Sequence, residues 1–315
     1  MAENDPRRSL DPESLSRKNM EASVSLDELF CKCLEGKTAI VTGGASGLGY
    51  TVVNRLCEAG AKVMIASRGE ERAKRAVSDF REKGYEVSWV KTDVSIVADC
   101  YHAVDAAVEA YGKVDILVSN AAGWSSCSYL DVSEELYDRI MDVDLKGSYF
   151  MGQAVARHMV ANKVKGKIVF ISSAAHLGEG PSHIVMNTYY QAAKAGVTGL
   201  TRGVAEELKQ YGICVNCVAP GGMLSAGIFT QGTEYPAKYG PAYQEARKKP
   251  AEPAPLAMNP DEVGRVVFAL CTPMSDFMCG EVVNVNGGAM LKFQTVPLSY
   301  TVEGCIPGPS KQETK

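Results

Sequence analysis

Short apolar runs alternate with longer segments of helical period from about residue 34 to about residue 290. The runs Thr38 to Val41, Lys62 to Ala66 and Val87 to Val90 predict buried strands, as do VDILVSNAAG, KIVFISS, ICVNCVAPGG and EVVNVNGG. Helices are predicted between them. In VTGLTRGVAEEL, Val197, Leu200, Val204 and Leu208 recur at helical spacing and make one side of the segment apolar. MDVDLKGSYFMGQAVARHM supplies another helix, and NPDEVGRVVFALC a third, capped at Asn259. Strands and helices in regular alternation imply a parallel sheet covered on both faces. The pattern shows neither an internal repeat nor a second domain.

The edges of the pattern set the organisation. Residues 1–33 are charged, contain Ser and Pro and have no sustained periodicity, which predicts a disordered or loosely ordered arm. Residues 34–292 form the domain, including a Pro-, Gly- and Tyr-rich substrate-loop region over 223–258 that is long for a plain loop, a length usual for lids or disordered connections. Residues 293–315 are a polar tail. The chain has 315 residues, 46% of them hydrophobic and 22% charged, with a net charge of −4. That balance favours neither nucleic acid nor an anionic membrane as partner. No apolar run approaches the roughly 20 residues that span a bilayer. The start, MAENDPRRSL, lacks a secretory apolar core and carries acids unsuited to a transit peptide, so a cytoplasmic location is expected. Ten cysteines invite a disulfide or metal reading. Cys57, Cys100 and Cys271 fall in helical patterns, and Cys214 and Cys217 point to opposite faces of one strand. Small buried thiols and no metal site are expected, with Cys31 and Cys33 the one pair left open.

The chemistry centres on Tyr190 and Lys194, four residues apart on a predicted helix and therefore on one face. A phenol ordinarily titrates near ~10, and a fixed ammonium beside it favours the phenolate. Tyr189 is a rival, but its partner four residues on is Ala193. A βαβ unit begins the domain. In TGGASGLG, Gly43, Gly47 and Gly49 leave the backbone bare after a strand and before a helix, where N–H groups and the helix dipole suit a pyrophosphate. The second strand ends in Ser67 and Arg68 rather than an acid. A hydroxyl and a guanidinium suit a 2′-phosphate, so NADP(H) is favoured over NAD(H). Asp93 follows the third strand as a turn cap or an N-cap. Asn120, Ala121, Ala122 and Gly123 are small enough for a flat cofactor to lie close. Ser172 and Ser173 end the fifth strand at the carboxyl edge of the sheet, where such sheets bind ligands.

In this order, TGGASGLG at 42–49, SNAAG at 119–123, Ser173, Tyr190 with Lys194, PGG at 220–222 and NGG at 286–288 resemble the classical short-chain dehydrogenase/reductase family. The resemblance implies a single Rossmann-type doubly wound α/β domain of about seven parallel strands with helices on both faces. It implies Tyr190 as general acid/base, Ser173 steadying the substrate oxygen, and Lys194 binding nicotinamide ribose. By the same motifs Gly43, Ser46, Gly47, Leu48, Gly49, Ser67, Arg68, Asp93, Val94, Asn120, Ala121, Tyr190, Lys194, Pro220, Gly221 and Ser225 contact cofactor. A homotetramer or homodimer is also implied, and Gly196, Gly199 and Gly203 on one helix fit a closely packed partner helix.

The chain departs from the family in three places. Asp144 stands where an asparagine usually orders a relay water, and completes the candidate catalytic set of Ser173, Tyr190, Lys194 and Asp144. An ion pair with Lys194 would weaken the lysine's pull on Tyr190, which predicts a raised apparent pKa and lower activity, or a route that bypasses the water. The loop between Ser173 and Tyr190 is enlarged and carries His176, His183 and Met186. The usual threonine after PG is matched by Ser225. An apolar pocket wall of Trp124, Tyr129, Met186, Met223 and Phe229 would suit a bulky substrate, hydroxysteroid-like or 3-oxoacyl-like. The sequence thus points to an NADP(H)-dependent oxidoreductase on a secondary alcohol or ketone, with a catalytically weak NADP-binding regulatory or scaffold protein as the alternative.

Overall fold

The structure is a computed structural model and describes residues 32–125, 127, 129–177, 187–223 and 258–288. β1 (Thr38–Thr42) is buried at every position, as a strand covered on both faces must be. Ala39 and Val41 face one side of the sheet and Ile40 the other. α1 (Gly47–Glu58) leads to β2 (Lys62–Ser67), α2 (Glu70–Glu82) to β3 (Val87–Lys91), and α3 (Val97–Tyr111) to β4 (Ile116–Ser119). After β4 come α4 (Glu134–Met141), a π-helical turn (Asp142–Lys146) and α5 (Gly147–Ala161), then β5 (Lys167–Ile171), α6 (Thr188–Leu208) and β6 (Cys214–Pro220). α7 (Pro260–Cys271) and β7 (Val282–Val285) complete the domain.

The sheet has seven strands in the order β3-β2-β1-β4-β5-β6-β7. All are parallel. Each strand falls on its expected run, but β4 and β7 stop four and three residues short of theirs, and polar ends such as Asn120, Ser172 and Ser173 fall just outside the ladder. One face packs on α1, α2 and α7 and the other on α3, α5 and α6. Leu48, Val52, Val53 and Leu56 of α1 are all buried, and each contributes about 1.5–3 kcal/mol by leaving water. The strand order reverses between β1 and β4, so the crevice above their carboxyl ends is the position such a sheet offers to a ligand.

Two clamps keep that crevice in place. At the far end of the sheet the buried Asp115 accepts from the Thr38 N–H at 3.0 Å, and Lys113 and Lys37 lie 3.0 and 3.3 Å from its Oδ1. On the glycine-loop side, Arg55 of α1 forks onto Asp261 of α7 at 2.9 and 2.7 Å. Asn259 and Glu262 form a capping box at the start of α7. The buried cysteines behave as core residues. Burial pushes the Cys57 and Cys271 thiols up to about 12 and Cys100 and Cys217 to about 11, so all four stay protonated. Among the described residues no cluster of three or more metal-ligating side chains occurs.

Candidate active site

The glycine turn is built by its neighbours. Gly43 has a φ of +65°, the left-handed region where a Cβ is strained. A Cβ on Gly49 would collide with the Gly43 carbonyl and come within 2.7 Å of Asn120 Nδ2. Asn120 Nδ2 donates to the Thr42 carbonyl at 2.9 Å, while Thr42 Oγ1 accepts from the Asn120 and Ala121 N–H groups at 2.8 and 2.9 Å. Asn120 thus braces the turn between β1 and β4. Sequence reasoning assigned Asn120 a cofactor contact and missed Thr42 altogether. Ser46 sits at the N-cap of α1 without a side-chain capping bond, and the first turn carries no acid. The backbone N–H groups there are left for a ligand, with the positive end of the helix dipole behind them. This donor set fits a dinucleotide pyrophosphate.

At the adenosine end, Arg68 is 63% exposed and its Nη1 stands 3.8 Å from Asp93 Oδ2. Asp93 Oδ1 accepts from the Ser95 N–H at 3.0 Å and from Ser95 Oγ at 2.7 Å. Asp93 therefore caps a turn, and the N-cap of α3 is Ile96. Ser67 departs from expectation. Its Oγ is buried without a hydrogen-bond partner, because the last β2 residue turns its hydroxyl inward. The guanidinium is thus the exposed donor at this corner. Leu48 and Val94 are buried, and Val94 packs closely against Gly147, where a Cβ would fall 2.8 Å from Val94 Cγ2. Gly221 approaches β7 closely, since a Cβ there would lie 3.0 Å from Asn286.

The reacting end gathers side chains from four elements. Lys194 and Tyr190 project from α6, with the ammonium 5.6 Å from the ring centre. The Ser173 hydroxyl, just beyond β5, accepts from the Ala175 N–H at 3.2 Å and stands near enough to the Tyr190 phenol to favour its ionised form. Lys194 is 1% exposed, and its Nζ donates to the Ile171 carbonyl at 3.1 Å. Ser172 Oγ donates to the Lys194 carbonyl at 2.8 Å and fastens α6 to the end of β5. Asp144, fully buried in the π turn, accepts at Oδ1 from the Gly123 N–H and sets Oδ2 3.5 Å from Lys194 Nζ. Its own carbonyl accepts from Ser148 Oγ at 2.8 Å. The structure therefore brings Ser173, Tyr190, Lys194 and Asp144 together. The Gly123 N–H, the Ile171 carbonyl and the π turn had no sequence signal, since the first two are backbone groups and the third is a register shift.

The electrostatics follow from this packing. Burial pushes the Tyr190 phenol up, the Lys194 charge pulls it back, and Asp144 adds to the rise, so it sits above its ordinary value. The rise is the direction expected from Asp144 pairing with Lys194, and burial is its largest cause. Burial alone would depress Lys194, but Asp144 and Tyr190 carry it above the usual lysine range. Asp144 is raised by burial against the opposing pull of Lys194 and the Gly123 N–H.

Other candidate residues lie elsewhere. Trp124 is 36% and Tyr129 77% exposed at the rim. Met223 is partly buried against the core, and its backbone forms a parallel bridge with Met258. His176 is engaged with Asn284 at 3.1 Å. Cys31, His183, Met186, Ser225 and Phe229, with the arm before residue 32, most of the 223–258 stretch and the tail, lie outside the described residues.

The short chain dehydrogenase family model matches residues 37–233. The chain belongs to the short-chain dehydrogenase/reductase family. It is 34% identical over 258 residues to the BbsD subunit of (2S)-[(R)-hydroxy(phenyl)methyl]succinyl-CoA dehydrogenase of Thauera aromatica, covering 82% of this chain and 98% of that one. It is 33% identical to dehydrogenase/reductase SDR family member 4 of Bos taurus, covering 82% and 88%. A crystal structure of a short-chain type dehydrogenase/reductase from Mycobacterium marinum superposes with a TM-score of 0.73 at 29% identity, over 85% of this chain and all of that one. This short-chain dehydrogenase/reductase is accordingly an oxidoreductase of alcohol and ketone groups, and its family uses a nicotinamide dinucleotide. Such a cofactor supplies or accepts the hydride when bound. The glycine turn, the open start of α1 and Lys194 are the groups that would hold it. Among the described residues no helix is long and apolar enough to cross a membrane.

Proposed function

We propose that the protein is an NADP(H)-dependent enzyme interconverting a bulky apolar secondary alcohol and its ketone, in the cytoplasm, as a homodimer or homotetramer. The observation that carries the cofactor preference is Arg68: β2 ends in an exposed guanidinium rather than an acid, a cation that can bind a 2′-phosphate and offset the nearby Asp93 carboxylate. Because Ser67 Oγ faces inward, Arg68 is the residue assigned to the phosphate. In the chemical step the substrate carbonyl oxygen lies against Ser173 and Tyr190, and the phenol delivers a proton to that oxygen as the carbon gains hydride. Alcohol oxidation runs the same transfers backwards.

Support for a bulky substrate comes from Trp124, Tyr129 and Leu130, which leave large apolar surface exposed beyond Gly123. The phenyl-bearing acyl thioester in the name of the Thauera relative is in keeping with that size. Support for a second copy comes from α6. Among the described residues nothing lies within 4 Å of a Cβ added at Gly199 or Gly203. A groove of about 500 Å³ runs between α5 and α6 past Tyr149, Phe170, Leu208 and Tyr211. Gly196 has another cause, since a Cβ there would fall 2.9 Å from Leu145 of the same chain.

The test is a nicotinamide fluorescence titration of NADPH and NADH into wild type and Arg68→Ala, followed by turnover against ketones and 3-oxoacyl thioesters. NADPH is expected to bind more tightly. Arg68→Ala should weaken NADPH about 10–100-fold, the worth of a charge-assisted bond, and leave NADH nearly unchanged. Tighter binding of NADH by wild type would overturn the preference.

A further inference from the structure

The Lys194 ammonium is shared. On one side it faces Tyr190, whose phenol exchanges a proton with substrate in the function proposed above. On the other, at 3.5 Å, lies Asp144 Oδ2, an oxygen sealed from solvent that takes no hydrogen bond of its own. The other Asp144 oxygen is held by the Gly123 N–H, and the backbone carbonyl of the π turn is bonded by Ser148. Asp144 is thus held at one carboxylate oxygen and at its backbone carbonyl, with the other carboxylate oxygen toward the lysine, and with both groups buried no solvent screens the pair.

We infer that Asp144 is a positioning residue that draws on the charge of Lys194 and so biases the site toward carbonyl reduction, in which Tyr190 gives a proton, over alcohol oxidation, in which it takes one. In reduction, hydride from a reduced nicotinamide dinucleotide forms the new C–H bond, and the carbonyl π pair becomes an oxygen lone pair. That oxygen takes the Tyr190 proton, and the phenolate left behind is reprotonated from solvent. A phenol that holds its proton to higher pH does this over a wider pH range. The reverse reaction needs phenolate, which an ammonium already engaged by a carboxylate stabilises less. The reaction equilibrium is unchanged; the pH range open to each direction shifts.

Among the described residues the charged and titratable groups facing the pair are few. α6 contributes Tyr190 and Lys194, the π turn Asp144, and β6 Cys217, which stays a neutral thiol with its value near about 11. Ser173 adds a hydroxyl, without charge, from the end of β5. Asp144 is therefore the negative charge to remove.

The inference rests on the proposed reaction, and its test separates the two. Rates of ketone reduction and alcohol oxidation are measured against pH for wild type and Asp144→Asn, with Asp144→Ser in reserve should the amide not fold. The expected result is that the alkaline limb of reduction and the acidic limb of oxidation both move down by about one pH unit or more, as loss of a buried charge near a phenol requires. Oxidation near neutral pH should then gain on reduction. Limbs that stay in place with turnover intact would overturn the inference and leave the function standing. If wild type turns nothing over, the function fails. The inference is then read without substrate, by tyrosinate absorption of wild type and Asp144→Asn, each as a difference from its Tyr190→Phe counterpart. A Tyr190 titration that does not move down in the Asp144→Asn protein overturns it.

Discussion

Replacing Lys194 by Met would leave the buried Asp144 without its counter-charge while keeping a side chain of similar length in place. The oxygen–nitrogen distance is 3.5 Å, and both side chains are 2% exposed or less. At that separation and an effective dielectric constant of ~20 the attraction is about 5 kcal/mol. Most of it offsets the cost of burying the two charges, so the pair contributes little net stability, but stranding one member costs about 3–5 kcal/mol. Lys194→Met should therefore lose about 3–5 kcal/mol in urea unfolding at neutral pH. Adding Asp144→Asn to it should restore more than half, because no charge is then stranded. The pH dependence has a definite sign. Without Lys194 the folded-state value of Asp144 rises above the unfolded value near ~4, so the deficit is absent below that value, grows as pH rises, and levels off above the folded value. A deficit under about 1 kcal/mol at neutral pH, or a double variant no better than the single one, would refute a charged Asp144–Lys194 pair.

Two further outcomes follow from the frame around the site. Gly49→Ala should displace the turn between Gly43 and Asn120, costing about 1–3 kcal/mol in thermal unfolding and weakening dinucleotide binding in a fluorescence titration; unchanged binding would contradict the packing of the turn. Arg55→Ala should cost about 0.5–1 kcal/mol at neutral pH, since its pair with Asp261 is partly solvated. The Arg55 guanidinium holds Asp261 below the usual carboxylate range, so this contribution is present above the unfolded value and disappears as acid protonates Asp261; a loss that persists in acid would assign the effect to packing.

The fold was legible because a parallel sheet buried on both faces makes each strand a short apolar run, and runs such as Thr38–Thr42 leave little else to predict. The site was legible where the chemistry resides in side chains at fixed local spacing, as with Tyr190 and Lys194 on one helix. It was illegible where geometry depends on rotamers or on backbone groups brought from far along the chain. The inward turn of Ser67 Oγ, the π turn that presents Asp144 and the Ile171 carbonyl that receives Lys194 are of that kind. The direction of the Tyr190 shift was legible from Asp144 beside Lys194, but its largest cause was not, because burial is a property of the folded site.

Proton exchange between Tyr190 and substrate is tested most directly by NADPH oxidation by Tyr190→Phe against the best ketone found for wild type, with cofactor affinity measured alongside. The predicted result is dinucleotide binding close to wild type with turnover reduced by about 10²–10⁴-fold, the usual worth of a positioned general acid. Turnover within a few-fold of wild type, with binding intact, would contradict it.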